Sequence, residues 1–182
     1  MIYKFTILTD EVDNFRRDIT IDAEATFYDL HNAILDSVAY TKDQMASFFI
    51  CDEDWSKETE ITLIEMDSNS EEDSYIMENV RLNEFLGDEG QQLIYVFDYL
   101  AERSFFVKLR EIILGKNQKK AEVIYSKGLP PVQISSVEDI TIASTDSMLA
   151  LDEDFFEDTV NLDEYDDEDF GDLIEGNPFD NY

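Results

Sequence analysis

The chain has 182 residues, and its 44 acidic and 13 basic side chains give a formal net charge of −31. Such a charge argues against direct nucleic-acid binding, because phosphate contacts require a basic surface. The single cysteine excludes an intrachain disulfide, and the single histidine excludes a multi-histidine metal site. We therefore expect no cofactor and no metal.

The charge is unevenly distributed along the chain. Residues 1–127 hold 27 acidic and all 13 basic side chains, a net charge of −14, whereas residues 128–182 hold 17 acidic and no basic ones. The segment Gly128-Leu129-Pro130-Pro131 marks the change, since a proline pair cannot continue a helix or a central strand. We predict a globular domain over 1–131 and an acidic, partly disordered tail over 132–182.

The first elements of the domain have clear signals. Residues 2–8 and 15–21 are two apolar-rich segments, the first with alternating apolar and polar residues, and a polar turn separates them. This pattern predicts a β-hairpin. Thr26 with Asp29 three residues later predicts a helix N-terminus. Phe27, Leu30, Ile34 and Val38 then follow at helical spacing, so we predict a helix over 26–38.

The second half of the domain is richer in strand signals. Residues 46–51, 92–99 and 104–112 predict strands, with shorter ones at 61–64 and 122–125. We expect polar loops at 52–60, where Trp55 could act as a lid, and at 68–73. Leu82, Phe85 and Leu86 suggest a short helix, and residues 75–80 are ambiguous. The order predicts an α+β fold, in which a hairpin and then a helix pack on a mixed or antiparallel sheet, a β-grasp-like opening.

The residue types that usually carry catalysis do not indicate an active site in this sequence. His31 lies on the flank of the predicted helix, and we expect it to be half-buried and bonded to backbone. Cys51 precedes Asp52-Glu53-Asp54, whose charges would raise the thiol pKa, so we expect a buried structural thiol and not a nucleophile paired with His31. No catalytic residue is assigned, and an enzyme using His31, Asp98 and Glu102 stays a minor alternative.

Carboxylates alone carry no weight in so acidic a chain. The run at 163–172 resembles a calcium loop, but a loop starting at Asp166 puts Phe170 at position 5 and Asn177 at position 12, where oxygen ligands are needed. We therefore predict no metal site. The chain also lacks a phosphate loop and the common hydrolase and protease motifs.

The tail interleaves its acids with aromatic residues, which purely solvating acidic tails lack. Acidic and aromatic alternation is typical of segments that dock on basic or apolar partner surfaces. The alternative is a tail that only solubilises the chain. The predicted docking residues are Phe155, Phe156, Tyr165, Phe170, Phe179 and Tyr182.

Four segments together resemble the plasmid pRiA4b ORF-3-like family, uncharacterised proteins of which some are associated with mobile elements. Thr26-Phe27-Tyr28-Asp29-Leu30-His31-Asn32-Ala33-Ile34 resembles the family's T-L-x-D-L-H-x-x-I helix. Asp43-Gln44-Met45 with Phe48 resembles its D-x-H-L-x-x-F stretch, Tyr95-Val96-Phe97-Asp98 its Y-x-Y-D strand, and Gly128-x-Pro130-Pro131 its proline segment. The family-motif positions carried over are Thr26, Asp29, Leu30, His31, Asp98, Pro130 and Pro131.

The chain departs from the family pattern at two places. The family's D-F-G-D-x-W is here Asp98-Tyr99-Leu100-Ala101-Glu102-Arg103, and Val132-Gln133 replaces the acidic pair after the prolines. The resemblance covers about residues 2–131 and implies an α+β fold, while it leaves function open.

These observations favour a non-enzymatic cytoplasmic protein-interaction module. Its expected partner is a protein with a basic or apolar groove, without direct nucleic-acid binding. A cytoplasmic location fits an N-terminus without a secretory signal, the absence of a membrane-spanning apolar run and a lone, reduced cysteine. The alternative is a nucleic-acid-mimicking inhibitor or mobile-element accessory protein, whose carboxylates imitate phosphates.

Overall fold

The computed structural model describes residues 1–65 and 75–134, which form eight strands and two helices. In chain order these are β1 (Ile2–Leu8), β2 (Arg16–Asp22), α1 (Phe27–Val38), β3 (Ser47–Cys51), β4 (Lys57–Thr62), β5 (Tyr75–Ile76), α2 (Leu82–Phe85), β6 (Gln92–Asp98), β7 (Arg103–Ile113) and β8 (Glu122–Lys127). The chain from Met1 to Gln133 forms one compact unit.

All eight strands belong to one sheet, in the order β5-β4-β3-β6-β7-β1-β2-β8. Neighbouring strands are antiparallel except β4 and β5, which are parallel, so the sheet is mixed. The prediction of an α+β fold is thus confirmed as a sheet-rich fold with some helix. The predicted hairpin is also present, since β1 and β2 pair from Ile2 opposite Asp22 to Ile7 opposite Arg17.

Helix α1 begins and ends as its sequence predicts. The Thr26 side chain accepts a hydrogen bond from the Asp29 backbone N–H at 3.1 Å, and the Asp29 carboxylate accepts from the Thr26 backbone N–H at 2.9 Å. This reciprocal pair satisfies two donors that would otherwise lack partners in the first turn. At the other end, Ala39 adopts a left-handed conformation with φ 57°, and its N–H bonds to the Leu35 carbonyl.

The main core lies between α1 and one face of the sheet. Alternate residues of each strand point toward the helix, and they include Tyr3, Phe5 and Ile7 of β1, each fully buried. On the helix, Phe27 contacts Phe48 of β3 with ring centroids 5.5 Å apart. Burial of one phenylalanine of this kind stabilises the fold by about 2–3 kcal/mol.

The structure corrects the predicted loop at 52–60. Its second half is strand β4, in which Thr59 pairs with Ile50 and Glu60 with Phe49. Residues 57–60 are polar, and their side chains are exposed or half-buried. Their strand conformation is stabilised by backbone pairing with β3, which an apolar pattern in the sequence does not reveal. Trp55 lies in the remaining loop at φ 62°, with its ring edge-on to Phe106 at 5.1 Å.

The ambiguous segment at 75–80 is strand β5 followed by a turn, and the short helix predicted around Leu82 is α2. The predicted loop at 68–73 lies between residues 65 and 75, outside the described residues. The predicted acidic tail after residue 134 lies outside them as well, together with its six predicted docking aromatics.

Candidate functional site

His31 lies in the interior, between α1 and the sheet, and is 1% exposed. Its Nδ1 shares a hydrogen bond of 2.8 Å with the Tyr95 hydroxyl of β6, and its ring stacks on Tyr28. The predicted half-buried histidine bonded to backbone was therefore wrong on both counts. The partner of His31 is 64 residues away, so sequence spacing could not identify it. The available signal was a tyrosine, Tyr95, within the apolar strand predicted at 92–99.

The environment of His31 keeps its ring neutral. Burial, together with a smaller effect of the nearby Lys42, lowers the pKa of His31 to about 4, while Asp36 opposes the shift. Burial also raises the pKa of Tyr95 far above its usual value. Near pH 7 the two side chains form a neutral hydrogen bond within the core, which holds α1 on the sheet.

Cys51 lies on the other face of the sheet. Phe48 contacts α1 and Tyr95, and Cys51, three residues later on the same strand, points the opposite way. Cys51 as a whole is 8% exposed, and its thiol donates to the Phe49 carbonyl at 3.5 Å. Burial raises the pKa of Cys51 to about 12. The sheet therefore separates Cys51 from His31, and the thiol is buried and protonated.

Asp98 ends β6 and shapes the turn into β7. Its Oδ1 accepts hydrogen bonds from the backbone N–H groups of Leu100 at 3.0 Å and Ala101 at 3.2 Å. Glu102 is exposed in the same turn at φ 53°. Asp98 thus stabilises a backbone turn at a strand end. His31, in contrast, lies within the core and is bonded to Tyr95, three positions before Asp98 in β6.

Arg103 forms a cluster next to this turn that the sequence analysis missed. Its guanidinium bonds to the Glu11 carboxylate, with Nε 2.9 Å away, approaches Asp98 at 3.8 Å and lies over the Phe97 ring at 5.2 Å. It also donates to the Gln133 carbonyl at 3.5 Å. The available signal was the departure from the family pattern, because both Arg103 and Gln133 stand at the positions where this sequence differs.

Gln133 extends the Arg103 cluster to the end of α1. Its side-chain amide accepts from the Thr41 N–H at 2.7 Å and donates to the Thr41 carbonyl at 2.9 Å. Beside it, the Tyr40 hydroxyl donates to the Pro131 carbonyl at 2.5 Å, and burial raises the pKa of Tyr40 well above its usual value. The chain that follows β8 is therefore fixed to the domain through residue 133.

A row of polar side chains crosses the face of the sheet opposite α1. Strand pairing places Thr6 opposite both Asp18 and Lys108, and Lys108 opposite Gln92. The Thr6 hydroxyl donates to Asp18 at 2.9 Å, and Asp18 also binds Arg16 through two hydrogen bonds of 3.0 and 3.1 Å. The next strand continues the row, since Gln92 is opposite Cys51.

The row also holds two lysines, Lys108 and Lys57, the second of which lies opposite Cys51. Lys108 is 5% exposed, and the Lys57 ammonium lies 4.5 Å from the centroid of the Phe49 ring. Next to Lys108, the buried Gln92 Oε1 lacks a hydrogen-bond partner among the described residues. Within residues 1–65 and 75–134, no group of three or more histidine, cysteine or acidic residues could hold a metal ion.

The family-motif residues fall in four places. Thr26 and Asp29 cap α1, Leu30 and His31 lie in the core, and Asp98 shapes the β6–β7 turn. Pro130 and Pro131 follow β8, where Pro131 is buried and accepts the Tyr40 hydrogen bond. The structure does not bring all of these residues together into one cluster.

The comparisons with known proteins agree with the sequence resemblance. The sequence model of the family described as plasmid pRiA4b ORF-3-like protein matches residues 2–170. The chain belongs to the plasmid pRiA4b ORF-3-like family. The match to this family extends beyond the 2–131 range in which the four motifs were found, and it includes most of the acidic segment.

A solved structure shares the fold of this family member. The protein of unknown function MM3350 from Methanosarcina mazei Go1 matches with a TM-score of 0.51 and 16% sequence identity, over 69% of this chain and 68% of that one. No curated protein matches the chain. Neither helix in the described residues has the length and apolar character needed to cross a membrane.

Proposed function

We propose that this protein is a cytoplasmic, non-enzymatic interaction module, whose acidic C-terminal segment docks on a partner protein with a basic or apolar groove. The observation that carries the proposal is the charge partition, since residues 128–182 hold 17 acidic and no basic side chains. A segment without any cation cannot neutralise itself, and it attracts a basic surface at long range.

The aromatic residues of the segment give the proposal its specificity. Carboxylates alone supply attraction without selecting a partner, whereas aromatic side chains contribute most of the binding energy at protein interfaces when they enter pockets. The proposed docking residues are Phe155, Phe156, Tyr165, Phe170, Phe179 and Tyr182.

The domain supports a binding role through the way it uses its reactive groups. His31 is kept neutral in the core, Cys51 is kept protonated on the other face, and Asp98 is engaged in a turn. An acid–base catalyst needs a titratable group within reach of a substrate. The described contacts of these three residues favour structural roles for them.

The test is affinity purification with the full chain as bait, followed by elution with increasing salt. We expect bound proteins to elute as salt rises, and to be lost when the six aromatics are replaced by serine, because the acids alone do not hold the partner. The matched control replaces three exposed apolar residues of the domain by serine. They are Leu100, Leu114 and Leu129, which are 92, 74 and 83% exposed.

Retention of the same proteins by the aromatic-to-serine variant would refute the docking role and favour a tail that only solubilises the chain. Equal loss in the control variant would also count against it, since binding would then depend on apolar exposure in general.

A second proposal uses the same charge in another way. Carboxylates spaced along a chain imitate the phosphates of DNA, so the segment could inhibit a DNA-binding protein as an accessory of a mobile element, which is consistent with the plasmid origin in the family's name. Double-stranded DNA should then release the captured partner in competition, and a partner that stays bound in excess DNA would exclude mimicry.

A further inference from the structure

Strand β8 is the last strand at one edge of the sheet. It lies outside β2 in the strand order, and none of the described residues forms a strand beyond it. The opposite edge strand, β5, has only two residues, whereas β8 has six. An edge strand of this length presents backbone donors and acceptors to any strand that can align with it.

The side chains of β8 suit a protein partner better than water. Three consecutive apolar residues, Val123, Ile124 and Tyr125, are 45, 50 and 45% exposed. Opposite charges flank them, with Glu122 at the start of the strand and Lys127 at its end. An apolar centre between charged ends is the general arrangement of protein interfaces.

A bulge places both charges on the same face of the sheet. Glu122 is opposite Thr20, and Lys127 is opposite Arg16. Thr20 and Arg16 are four positions apart in β2, so their side chains lie on the same face of the sheet. The register shifts between Asp18 and Ile19, so that Ile124 is the additional residue in β8. In a regular strand, two residues five positions apart would point to opposite faces.

The edge is also held firmly in place. The buried guanidinium of Arg17 donates to the Lys127 carbonyl at 2.6 Å and to the Gly128 carbonyl at 3.1 Å. At the other end of the strand, Gln118 donates to the Thr20 and Lys120 carbonyls at 3.0 and 2.6 Å. A partner strand would therefore meet an edge that needs little ordering before it binds.

We propose that two copies of this chain associate by antiparallel pairing of β8 with β8. Pairing about the middle of the strand sets Glu122 of each copy across from Lys127 of the other, and Ile124 across from Tyr125. The same patch then serves both copies, as a two-fold interface requires. The two sheets join into one continuous sheet of sixteen strands, and two ion pairs fix the register.

The test uses charge reversal in the full chain, with molar mass measured by light scattering across a range of concentrations. Salt is added to screen the repulsion between two chains of net charge −31. We expect the wild type to reach twice its mass of 21.1 kDa. Glu122→Lys and Lys127→Glu, each alone, should weaken association about ten-fold or more, because like charges then face each other.

Mixing these two variants gives the decisive result. In a pair formed by one Glu122→Lys chain and one Lys127→Glu chain, both cross-strand contacts again join opposite charges, so the mixture should regain the wild-type affinity. Recovery also shows that both variants are folded. The control is Leu114→Lys, an exposed change in the turn before β8 that should leave the mass unchanged.

Three results would overturn the proposal. They are a wild type that keeps the mass of one chain at all concentrations, single variants that associate as strongly as the wild type, and a mixture of the two that fails to recover. If the edge of β8 instead pairs with a strand of another protein, the wild type alone should keep the mass of one chain.

Discussion

The burial of His31 makes the domain lose stability as the solution becomes acidic. The pKa of His31 is about 4 in the folded protein, against an ordinary value of 6.5. Because the folded state binds the proton less readily than the unfolded state, this contribution is fully present above pH 6.5 and decreases as the pH falls toward 4.

The size of this loss follows from the shift in pKa. A difference of about 2.5 pKa units corresponds to about 3 kcal/mol at its limit, and about 2 kcal/mol of this is lost by pH 5. His31 is only 1% exposed, so solvent screening does not reduce the effect substantially. A loss of this size is a large share of the stability of an ordinary domain, which is about 5–15 kcal/mol.

The assay is urea unfolding of the full chain at a series of pH values between 7 and 5, above the sequence pI of about 4.1 where solubility would fail. The comparison is the double variant His31→Leu with Tyr95→Phe, which removes both polar partners and leaves no orphan group. Between pH 7 and pH 5 the wild type should lose about 2 kcal/mol relative to this variant.

Carboxylate titration affects both proteins alike, so it cancels in the comparison between them. If the stability difference between wild type and double variant is the same at pH 7 and pH 5, then His31 titrates normally in the folded state. The reasoning from burial would then be refuted.

Three further predictions concern the fold, each measured on the full chain. Thr26→Ala should lower the free energy of unfolding by about 1 kcal/mol, because the first turn of α1 loses its cap; an unchanged value would contradict the capping role. Cys51 should resist an aromatic disulfide reagent at pH 8 until urea unfolds the domain, since its thiol pKa is about 12, and rapid reaction of the native protein would disprove its burial. Gly128→Ala should cost about 1–3 kcal/mol more than Gly115→Ala, because both have φ near 70° but only a Cβ at Gly128 would lie 2.5 Å from the Asn14 carbonyl oxygen. Equal midpoints for the two glycine variants in urea unfolding would rule out this steric effect.

The elements of the domain that could be predicted were those with strong local signals. The cap formed by Thr26 and Asp29 and the apolar spacing after it are properties of adjacent residues, so the helix prediction was accurate at both ends. The first four residues of strand β4 were predicted as loop because the stability of the strand comes from pairing with β3, which adjacent residues do not encode.

The functional interpretation depended on contacts that sequence spacing cannot supply. The hydrogen bond between His31 and Tyr95 joins residues 64 positions apart, and Arg103 contacts Glu11 at a separation of 92. Burial decides the state of both His31 and Cys51, and it follows from tertiary packing. The charge partition at residue 128, in contrast, is a property of composition, so it can be read directly from the sequence.

The strand order has a consequence for how the domain folds. The hairpin of β1 and β2 is synthesised first and lies between β7 and β8, which are the last strands of the described residues to be synthesised. On a ribosome, the hairpin must therefore wait for its two flanking strands until the chain has been synthesised to about residue 127. Pairing across such separations slows folding and leaves strand edges open meanwhile. The high negative charge of the chain would keep these open edges of neighbouring nascent chains apart.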